Sequence, residues 1–324
     1  MIKLKCFLPG LLLLIMAATT SAQSKFRVVG YLRNQRGLAD AIKRVNLDRI
    51  THLNIAFINP DSTGSLLVAP GLKDVVLLAH SKNVKVLLSI GGGTPPKYLP
   101  VNIYGDKQDV LITALTNIAI SYNLDGIDVD LEGLLINDNY EGFVTKLAAS
   151  LKVNGKLMTA AVATYNAQKY TDKVLALYDF INVMSYDKTG PWRPNKPGLH
   201  APYEMAVNDL DYWINKRGIL KEKISLGLPF YGYGFGADAP ESMTYKQIVV
   251  QYPDAKDADQ LTLPGGAVVY YNGTQTIKTK TVLALKTAGG VMVWQLLQDA
   301  DGEDSMLKVI DDTIRSQKEK MHYT

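Results

Sequence analysis

Short runs of β-forming residues recur along the chain, and most of them are followed by a segment of helical periodicity. Amphipathic helices are predicted over Lys73–Ser81, Gln108–Ser121 and Tyr140–Leu151. Strands are predicted at Phe26–Tyr31, Ile50–Phe57, Val84–Ile90, Leu124–Leu131, Leu157–Ala163, Phe180–Tyr186, Ile224–Phe230 and Gly290–Leu296. Strands that alternate with helices predict an α/β fold with a parallel sheet covered by helices. Since eight strands close a (β/α)8 TIM barrel, we expect that barrel, with a doubly wound open sheet as the alternative.

The regular spacing is interrupted once, between the seventh and eighth predicted strands. The segment holds a helical pattern at Glu241–Pro253, then a polar stretch, then Gly265–Lys280, which is typical of a small hairpin or extended piece. A final helix is predicted near Thr281–Ala288. We therefore expect a short insertion at about 236–280 within a single domain over residues 23–324.

The first residues have the pattern of a secretory signal peptide. Lys3 and Lys5 precede an apolar run, and the small residues Thr20–Ala22 precede a predicted cleavage before Gln23. The apolar run is too short for a comfortable membrane span, although an uncleaved anchor is the alternative. We expect residues 1–22 to be removed and the mature protein to be secreted or periplasmic.

Composition and charge exclude several classes of partner. Of the 324 residues, 47% are hydrophobic and 20% are charged, which is typical of a globular protein with a large core. Cys6 is the only cysteine and lies in the predicted signal peptide, so the mature chain would have neither a disulfide nor a reactive thiol. Loss of Lys3 and Lys5 would lower the formal net charge from +4 to +2. This small charge indicates neither a nucleic acid nor a strongly anionic surface as a binding partner. We expect a monomer that contacts no membrane after cleavage.

The fourth predicted strand carries an unusual density of acidic residues, in the sequence LDGIDVDLEG. Side chains alternate along a strand, so Asp128, Asp130 and Glu132 share one face, and the intervening Ile, Val and Leu share the other. Inside a barrel such carboxylates are costly, and at least one of their pKa values should rise. Glu132 falls at the carboxyl end of the strand, where barrel active sites lie, and is a candidate general acid. Asp125 is out of phase and is interpreted as structural.

Two other interpretations of the acidic strand remain open, a calcium site and an inert acidic loop. Calcium sites usually draw their carboxylates from loops with turn glycines, which strict alternation with apolar residues fits poorly. The histidines have no metal-ligand spacing, so we expect no metal. The glycine-spaced run Gly232–Gly236 lacks a nucleotide-fold context, and we expect no cofactor.

The acidic segment Asp125–Glu132, DGIDVDLE, resembles the DGxDxDxE motif of glycoside hydrolase family 18, the chitinases and related endo-β-N-acetylglucosaminidases. Other strands carry further resemblances to the family patterns, at His52–Phe57 (THxxxAF), Ser89–Gly92 (SxGG), Met184–Asp187 (MxYD), Leu226–Gly232 (GxPxYG) and Gly290–Trp294. The resemblance covers essentially the whole mature chain in order, and it too implies a TIM barrel.

Family membership would imply substrate-assisted, retaining hydrolysis, in which the N-acetyl oxygen of the substrate attacks the anomeric carbon. It implies that Glu132 is the acid and base, that Asp130 orients the acetamido group, and that Asp128 shares a proton with Asp130. Tyr186 would donate to the N-acetyl carbonyl. The resemblance implies substrate contacts, with the sugar stacking on an aromatic floor, for Trp294, Met184, Asp187, Tyr31, Phe57 and Ser89.

The chain departs from the common family pattern beside the acid. Leu131 precedes Glu132 and Gly133 follows it, where many members have Trp and then Tyr-Pro. The predicted insertion is also short, which favours a shallow cleft and endo-cleavage of soluble oligomers, N-glycan cores or cell-wall glycans. The expected partner is therefore an oligo- or polysaccharide that contains N-acetylglucosamine. Alternatives are an endo-β-N-acetylglucosaminidase, a catalytically silent lectin-like relative and a structural barrel.

Overall fold

The computed structural model describes residues 26–322, and the predicted signal peptide lies outside this range. Its strands are β1 Arg27–Arg33, β2 His52–Ala56, β3 Lys85–Gly91, β4 Gly126–Asp130, β5 Leu157–Val162, β6 Phe180–Val183, β7 Ile224–Pro229, β8 Tyr231–Phe235, β9 Ser242–Thr244, β10 Gln260–Thr262, β11 Val268–Tyr270 and β12 Gly290–Trp294. Its helices are α1 Leu38–Ala41, α2 Leu72–Ser81, α3 Leu99–Tyr104, α4 Gln108–Ser121, α5 Tyr140–Val153, α6 Asp172–Leu177, α7 Tyr203–Asp211, α8 Tyr245–Gln251, α9 Thr274–Thr287 and α10 Met306–His322.

Strands β1 to β7 and β12 form a closed, all-parallel barrel. Neighbours along the chain pair in sequence order, and β12 pairs with both β7 and β1. Parallel neighbours need crossover connections, which the helices supply. The predicted (β/α)8 barrel is confirmed, and the open sheet is wrong because β12 leaves no free edge.

The helices cover the barrel with their apolar faces, as the sequence periodicity predicts. In α4 the buried face includes Leu111, Leu115 and Ala119, which are spaced by four residues. Most of the apolar core lies in this outer layer, between the helices and the outward side chains of the strands. Among residues 26–322, no helix is long and apolar enough to span a membrane.

The barrel interior, in contrast, contains many polar side chains. A small apolar cluster of Val29, Tyr31, Ala56, Phe180 and Met292 lies there. Polar residues are also fully buried on the barrel strands, namely Asn54, Ser89, Asp128, Thr159, Asn182 and Ser225. Buried polar groups are costly unless they have hydrogen-bond partners, so this polar interior is a candidate location for the functional site.

The insertion between β7 and β12 forms a small antiparallel sheet in the order β10-β11-β8-β9, with α8 following β9. The sheet begins at Tyr231, before the expected start near residue 236, because Tyr231–Phe235 alternates aromatic residues with glycine and pairs with β11. A Cβ on Gly232 would lie 2.4 Å from the carbonyl oxygen of Tyr270, so only glycine permits this close pairing. The last part of the expected insertion range belongs to α9, which begins at Thr274.

Candidate active site

The acidic residues of β4 lie on the inside of the barrel and ascend towards its carboxyl end. Asp128 and Asp130 are buried within the strand, and the partly exposed Glu132 follows two residues after the strand ends. Ile127, Val129 and Leu131 are fully buried in the outer apolar layer. The alternation expected from the sequence therefore separates a carboxylate row from an apolar face.

Asp128 is held by hydroxyl groups from three other strands. Its Oδ2 accepts hydrogen bonds from Tyr31 (2.7 Å) and Ser89 (2.7 Å), and its Oδ1 accepts one from Thr159 (2.5 Å). Burial raises the pKa of Asp128, and these hydrogen bonds oppose the rise. Tyr31 and Ser89 are fully buried and hold Asp128 through these hydrogen bonds, and their expected contact with substrate stays a prediction.

Asp130 lies one step nearer the barrel mouth and is less well satisfied. Within residues 26–322, no hydrogen-bond partner is found for its buried Oδ1. Burial, together with the charges of Glu132 and Asp128, raises the pKa of Asp130 well above its usual range. Two buried carboxyls in succession do not both ionise readily, and Oδ1 of Asp130 is left without a partner among the described residues.

Glu132 has the electrostatic environment of a general acid. Burial, followed by the charge of Asp187, raises its pKa from 4.5 to about 7. A carboxyl with this pKa is largely protonated in mildly acidic solution and can both donate and recover a proton near neutral pH.

The backbone of β3 approaches the acidic strand and an aromatic side chain closely. Gly91 has φ +113°, and a Cβ there would lie 2.1 Å from the carbonyl oxygen of Asp130. A Cβ on Gly92 would lie 2.4 Å from the ring of Phe57. The glycines of the SxGG segment are thus required by the packing of the site.

Aromatic rings form a floor beside the carboxylates. The Trp294 ring stacks on Phe57 at a centroid distance of 5.6 Å with a 23° tilt, and it contacts Tyr31 at 5.5 Å. Both Trp294 and Phe57 are partly exposed. The peptide bonds Ala56–Phe57 and Trp294–Gln295 are cis. A flat, partly exposed indole of this kind can stack on the apolar face of a sugar ring.

The segment after β6 turns out of the strand earlier than predicted. The strand ends at Val183 rather than Tyr186, because the Ser185 N–H donates back to the Val183 carbonyl. Met184 and Tyr186 are partly exposed beside Trp294 in the same apolar cluster. The hydroxyl of Tyr186 lies 3.9 Å from Sδ of Met292, and burial raises its pKa well above the usual range, which keeps it a proton donor.

Asp187 follows in the left-handed region, with φ +61°. Its Oδ1 accepts a hydrogen bond from the Tyr231 hydroxyl (2.6 Å) and lies 3.2 Å from Nδ1 of His200. Asp187 is exposed, whereas His200 is fully buried. The Asp187 carboxylate is therefore held by the buried side chains of Tyr231 and His200 while it remains exposed at the site.

Several contributing residues were missed by the sequence reasoning. Thr159 could have been found as an inward polar position in the apolar strand Leu157–Val162. The spacing of the histidines gives no signal for His200, and Tyr231 is marked in the sequence only by its place in the Leu226–Gly232 motif. Nothing in the local pattern around His200 indicates its contact with Asp187, which comes from the loop between β6 and α7.

Asp125 has a structural role, as expected from its phase. Its Oδ2 accepts a hydrogen bond from the Val86 N–H (2.8 Å) and lies 2.9 Å from Nε2 of His80. Among residues 26–322, no group of three or more His, Cys, Asp or Glu side chains is arranged to hold a metal ion.

Comparison with known proteins gives a consistent picture. The family model described as "Glycosyl hydrolases family 18" matches residues 27–299. Among solved structures, the GH18 chitinase ChiB from the chitin utilization locus of Flavobacterium johnsoniae is 35% identical, with a TM-score of 0.83. The match covers 91% of this chain and 96% of that chain.

Two curated relatives are also similar. The class V chitinase CHIT5a of Medicago truncatula is 29% identical over 323 residues, covering 79% of this chain and 82% of that protein. A chitinase-like effector of Moniliophthora roreri is 29% identical over 225 residues, covering 60% of this chain. The match spans 55% of the length of that effector.

Proposed function

We propose that this chain, which belongs to glycosyl hydrolases family 18, cleaves β-1,4 linkages in glycans that contain N-acetylglucosamine, such as chitin oligomers. The observation that carries the proposal is the position of Glu132, whose pKa is raised to about 7, directly above the buried carboxyls of Asp130 and Asp128. The similar proteins named as chitinases support chitin-type substrates.

The proposed reaction begins with the acetamido group of the substrate. The free Oδ1 of Asp130 accepts its N–H, which directs the carbonyl oxygen to the anomeric carbon. Glu132 gives its proton to the glycosidic oxygen as the bond to the anomeric carbon breaks. The carbonyl oxygen forms the new bond, and the product is a cyclic oxazolinium ion and a free alcohol.

Hydrolysis of this intermediate completes the reaction. The Glu132 carboxylate takes a proton from water, whose oxygen attacks the anomeric carbon and opens the ring with overall retention. Asp128 and Asp130 stabilise the positive intermediate, and the hydroxyl of Tyr186 orients the acetamido carbonyl. Trp294 is the floor beneath the sugar, with Met184 and Phe57 beside it and Asp187 in contact with the substrate.

The cellular setting is part of the proposal. The predicted signal peptide supports export, so the enzyme would act as a secreted or periplasmic monomer on soluble glycans. Detection of the mature protein beginning at Gln23 in the periplasm or medium, by N-terminal sequencing, would test export. Retention of residues 1–22 would contradict it.

The activity is tested with a chromogenic di-N-acetylchitobioside. Wild-type protein should release the chromophore, and Glu132→Gln should lower kcat by at least about 1,000-fold, since the proton donor is lost. Glu319→Gln, which removes the same charge from an exposed position on α10, is the matched control and should retain activity. Equal activity of Glu132→Gln and wild type would refute the assignment of the acid.

Two further outcomes distinguish the alternatives. Binding of chitooligosaccharides without turnover by wild-type protein would identify a lectin-like relative. Faster release of glycans from a high-mannose glycoprotein than cleavage of chitooligosaccharides would identify an endo-β-N-acetylglucosaminidase.

A further inference from the structure

His200 is a buried histidine whose two ring nitrogens both face oxygen atoms. The residue is fully buried in the loop that precedes α7. Its Nδ1 lies 3.2 Å from Oδ1 of Asp187, and its Nε2 lies 3.1 Å from the carbonyl oxygen of Tyr231. The N–H of Lys188 donates to the His200 carbonyl (2.9 Å), which ties the two parts of the loop together.

The hydrogen-bond inventory around this ring requires an additional proton. A backbone carbonyl can only accept, and an ionised carboxylate can only accept, whereas a neutral imidazole has one N–H. The Tyr231 hydroxyl already donates to the same Oδ1 of Asp187 at 2.6 Å. When Asp187 is ionised, both contacts of His200 are satisfied at once only if both ring nitrogens carry hydrogen.

We propose that His200 is a positively charged positioning residue that donates one N–H to Asp187 and the other to the Tyr231 carbonyl, and so limits the negative charge that Asp187 presents to Glu132. The proposal rests on the proposed function, because Glu132 is taken as the acid. His200 touches neither the substrate nor the reacting atoms. It acts through Asp187, which it holds together with Tyr231.

The electrostatic consequence follows from the neighbours of Glu132. After burial, the charge of Asp187 is the cause that raises the pKa of Glu132. A cation bound to Asp187 offsets part of that charge. Removal of the cation should therefore raise the pKa of Glu132 further, and removal of the Asp187 charge should lower it.

Other titratable groups surround His200. The rings of Tyr231 and Tyr233 each lie 5.0 Å from its ring, and burial raises the pKa of both hydroxyls, which keeps them neutral. Beyond Ala201, the Nζ of Lys280 donates to the Ala201 carbonyl (2.6 Å), and burial lowers its pKa to about 7. Since Lys280 changes its charge near pH 7, a measurement on the histidine ring itself is needed to separate the two groups.

The protonation of His200 is read directly by NMR on the wild-type protein labelled with ¹⁵N-histidine. The chain has four histidines, and the His200 signals are assigned by substituting His52, His80 and His322 with Gln in turn. Two protonated ring nitrogens are expected at the pH of maximal activity. A single protonated nitrogen at that pH would overturn the proposal.

The effect on catalysis is measured in a double-mutant cycle from the pH profile of kcat/KM. The alkaline limb, where activity falls as Glu132 loses its proton, reports the pKa of Glu132. His200→Asn keeps an amide donor near Asp187 but removes the positive charge of the imidazolium. The alkaline limb should therefore shift to higher pH, by on the order of one pH unit. Asp187→Asn should move it downward, and the double variant should behave like Asp187→Asn. The matched control is His52→Gln, which alters another buried histidine at the opposite end of the barrel and should leave the limb in place.

The outcomes separate this proposal from the proposed function. The role of the His200 charge would be refuted if His200→Asn left the alkaline limb unchanged. It would also be refuted if His200→Asn shifted the limb equally in the wild-type and Asp187→Asn backgrounds. A wild-type protein without glycosidase activity would refute the proposed function, while the NMR measurement would still decide whether His200 is charged.

Discussion

The hydroxyl of Tyr31 on β1 donates to Oδ2 of Asp128 on β4 over 2.7 Å, across the interior of the barrel. Ser89 donates to the same oxygen from β3. Asp128 is therefore a carboxyl whose position and charge are set by hydroxyl groups from neighbouring and distant strands. Since Asp128 lies beneath Asp130, a change in this contact should be transmitted to the residue that meets the substrate.

Tyr31→Phe should lower kcat by roughly tenfold with little change in KM, because Asp128 loses one of its three hydroxyl donors. Stability should fall by about 1–2 kcal/mol, the usual cost of a lost buried hydrogen bond. The measurements are steady-state kinetics and urea unfolding. Tyr178→Phe is the matched control, because it removes a buried hydroxyl that pairs with Tyr140 at 2.7 Å in the outer layer. It should lose stability and keep kcat, and an equal kcat loss in both variants would contradict a specific role for Tyr31.

Much of the barrel was predictable from the sequence because its strands and helices have strong, separate periodicities. The helix predicted at Gln108–Ser121 has those same bounds in the structure. The family resemblance predicted from the motifs is confirmed, since the family model matches residues 27–299. In β4, alternation alone separates the acidic face from the apolar face.

The contacts among site residues were less predictable, since they depend on distances between strands that no local pattern encodes. The Tyr31 hydroxyl reaches Asp128 only because the barrel closes, and Asn182 on β6 donates to that hydroxyl from a third strand (3.3 Å). His200 reaches Asp187 through an irregular loop. The predicted C-terminal bound of β6 was wrong because the chain turns at Ser185. This turn has no sequence signal, since the alternation of side chains typical of a strand continues to Tyr186.

The pH dependence of activity should have an alkaline limb set by Glu132. Burial and the charge of Asp187 raise its pKa to about 7, and the acid form is the one that protonates the leaving oxygen. Therefore kcat/KM on the chromogenic chitobioside should decline as the pH rises through about 7. The measurement is the pH profile at constant ionic strength. A profile that stays flat up to pH about 9, two units beyond that pKa, would contradict a protonated Glu132 as the acid.

The same raised pKa predicts that Glu132 lowers stability in alkaline solution. Its folded-state pKa of about 7 exceeds the ordinary value of 4.5, so the unfolded chain releases this proton first as the pH rises. The contribution of Glu132 to the free energy of unfolding is fully present below pH 4.5 and is lost progressively as the pH rises to about 7. Glu132→Gln should therefore be more stable than wild type at pH 8, by roughly 3 kcal/mol, and nearly equal to it at pH 4.

Urea unfolding of both proteins at the two pH values measures this difference. The exposed substitution Glu319→Gln serves as the control and should change stability by less than about 0.5 kcal/mol at either pH. If Glu132→Gln were no more stable than wild type at pH 8, burial of the ionised Glu132 carboxylate would not destabilise the fold, and the prediction would be wrong.

The close approach of Gly92 to Phe57 predicts a specific loss of sugar binding when a methyl group is added. In Gly92→Ala the new Cβ would lie 2.4 Å from the Phe57 ring, which must then move from its stack on Trp294. KM for chitooligosaccharides should rise by about tenfold or more, since the aromatic floor is displaced. The backbone has φ +90° at this position, so strain alone would also lower stability by about 1 kcal/mol.

Gly265→Ala separates strain from the clash, because Gly265 has φ +98° and open space around its Cβ position. Its stability should fall by a similar amount, as measured by urea unfolding, while its KM stays at the wild-type value. If Gly92→Ala also retained wild-type KM, the Phe57 ring would be free to move without affecting the substrate, and the stacked pair of Phe57 and Trp294 would not form the binding floor.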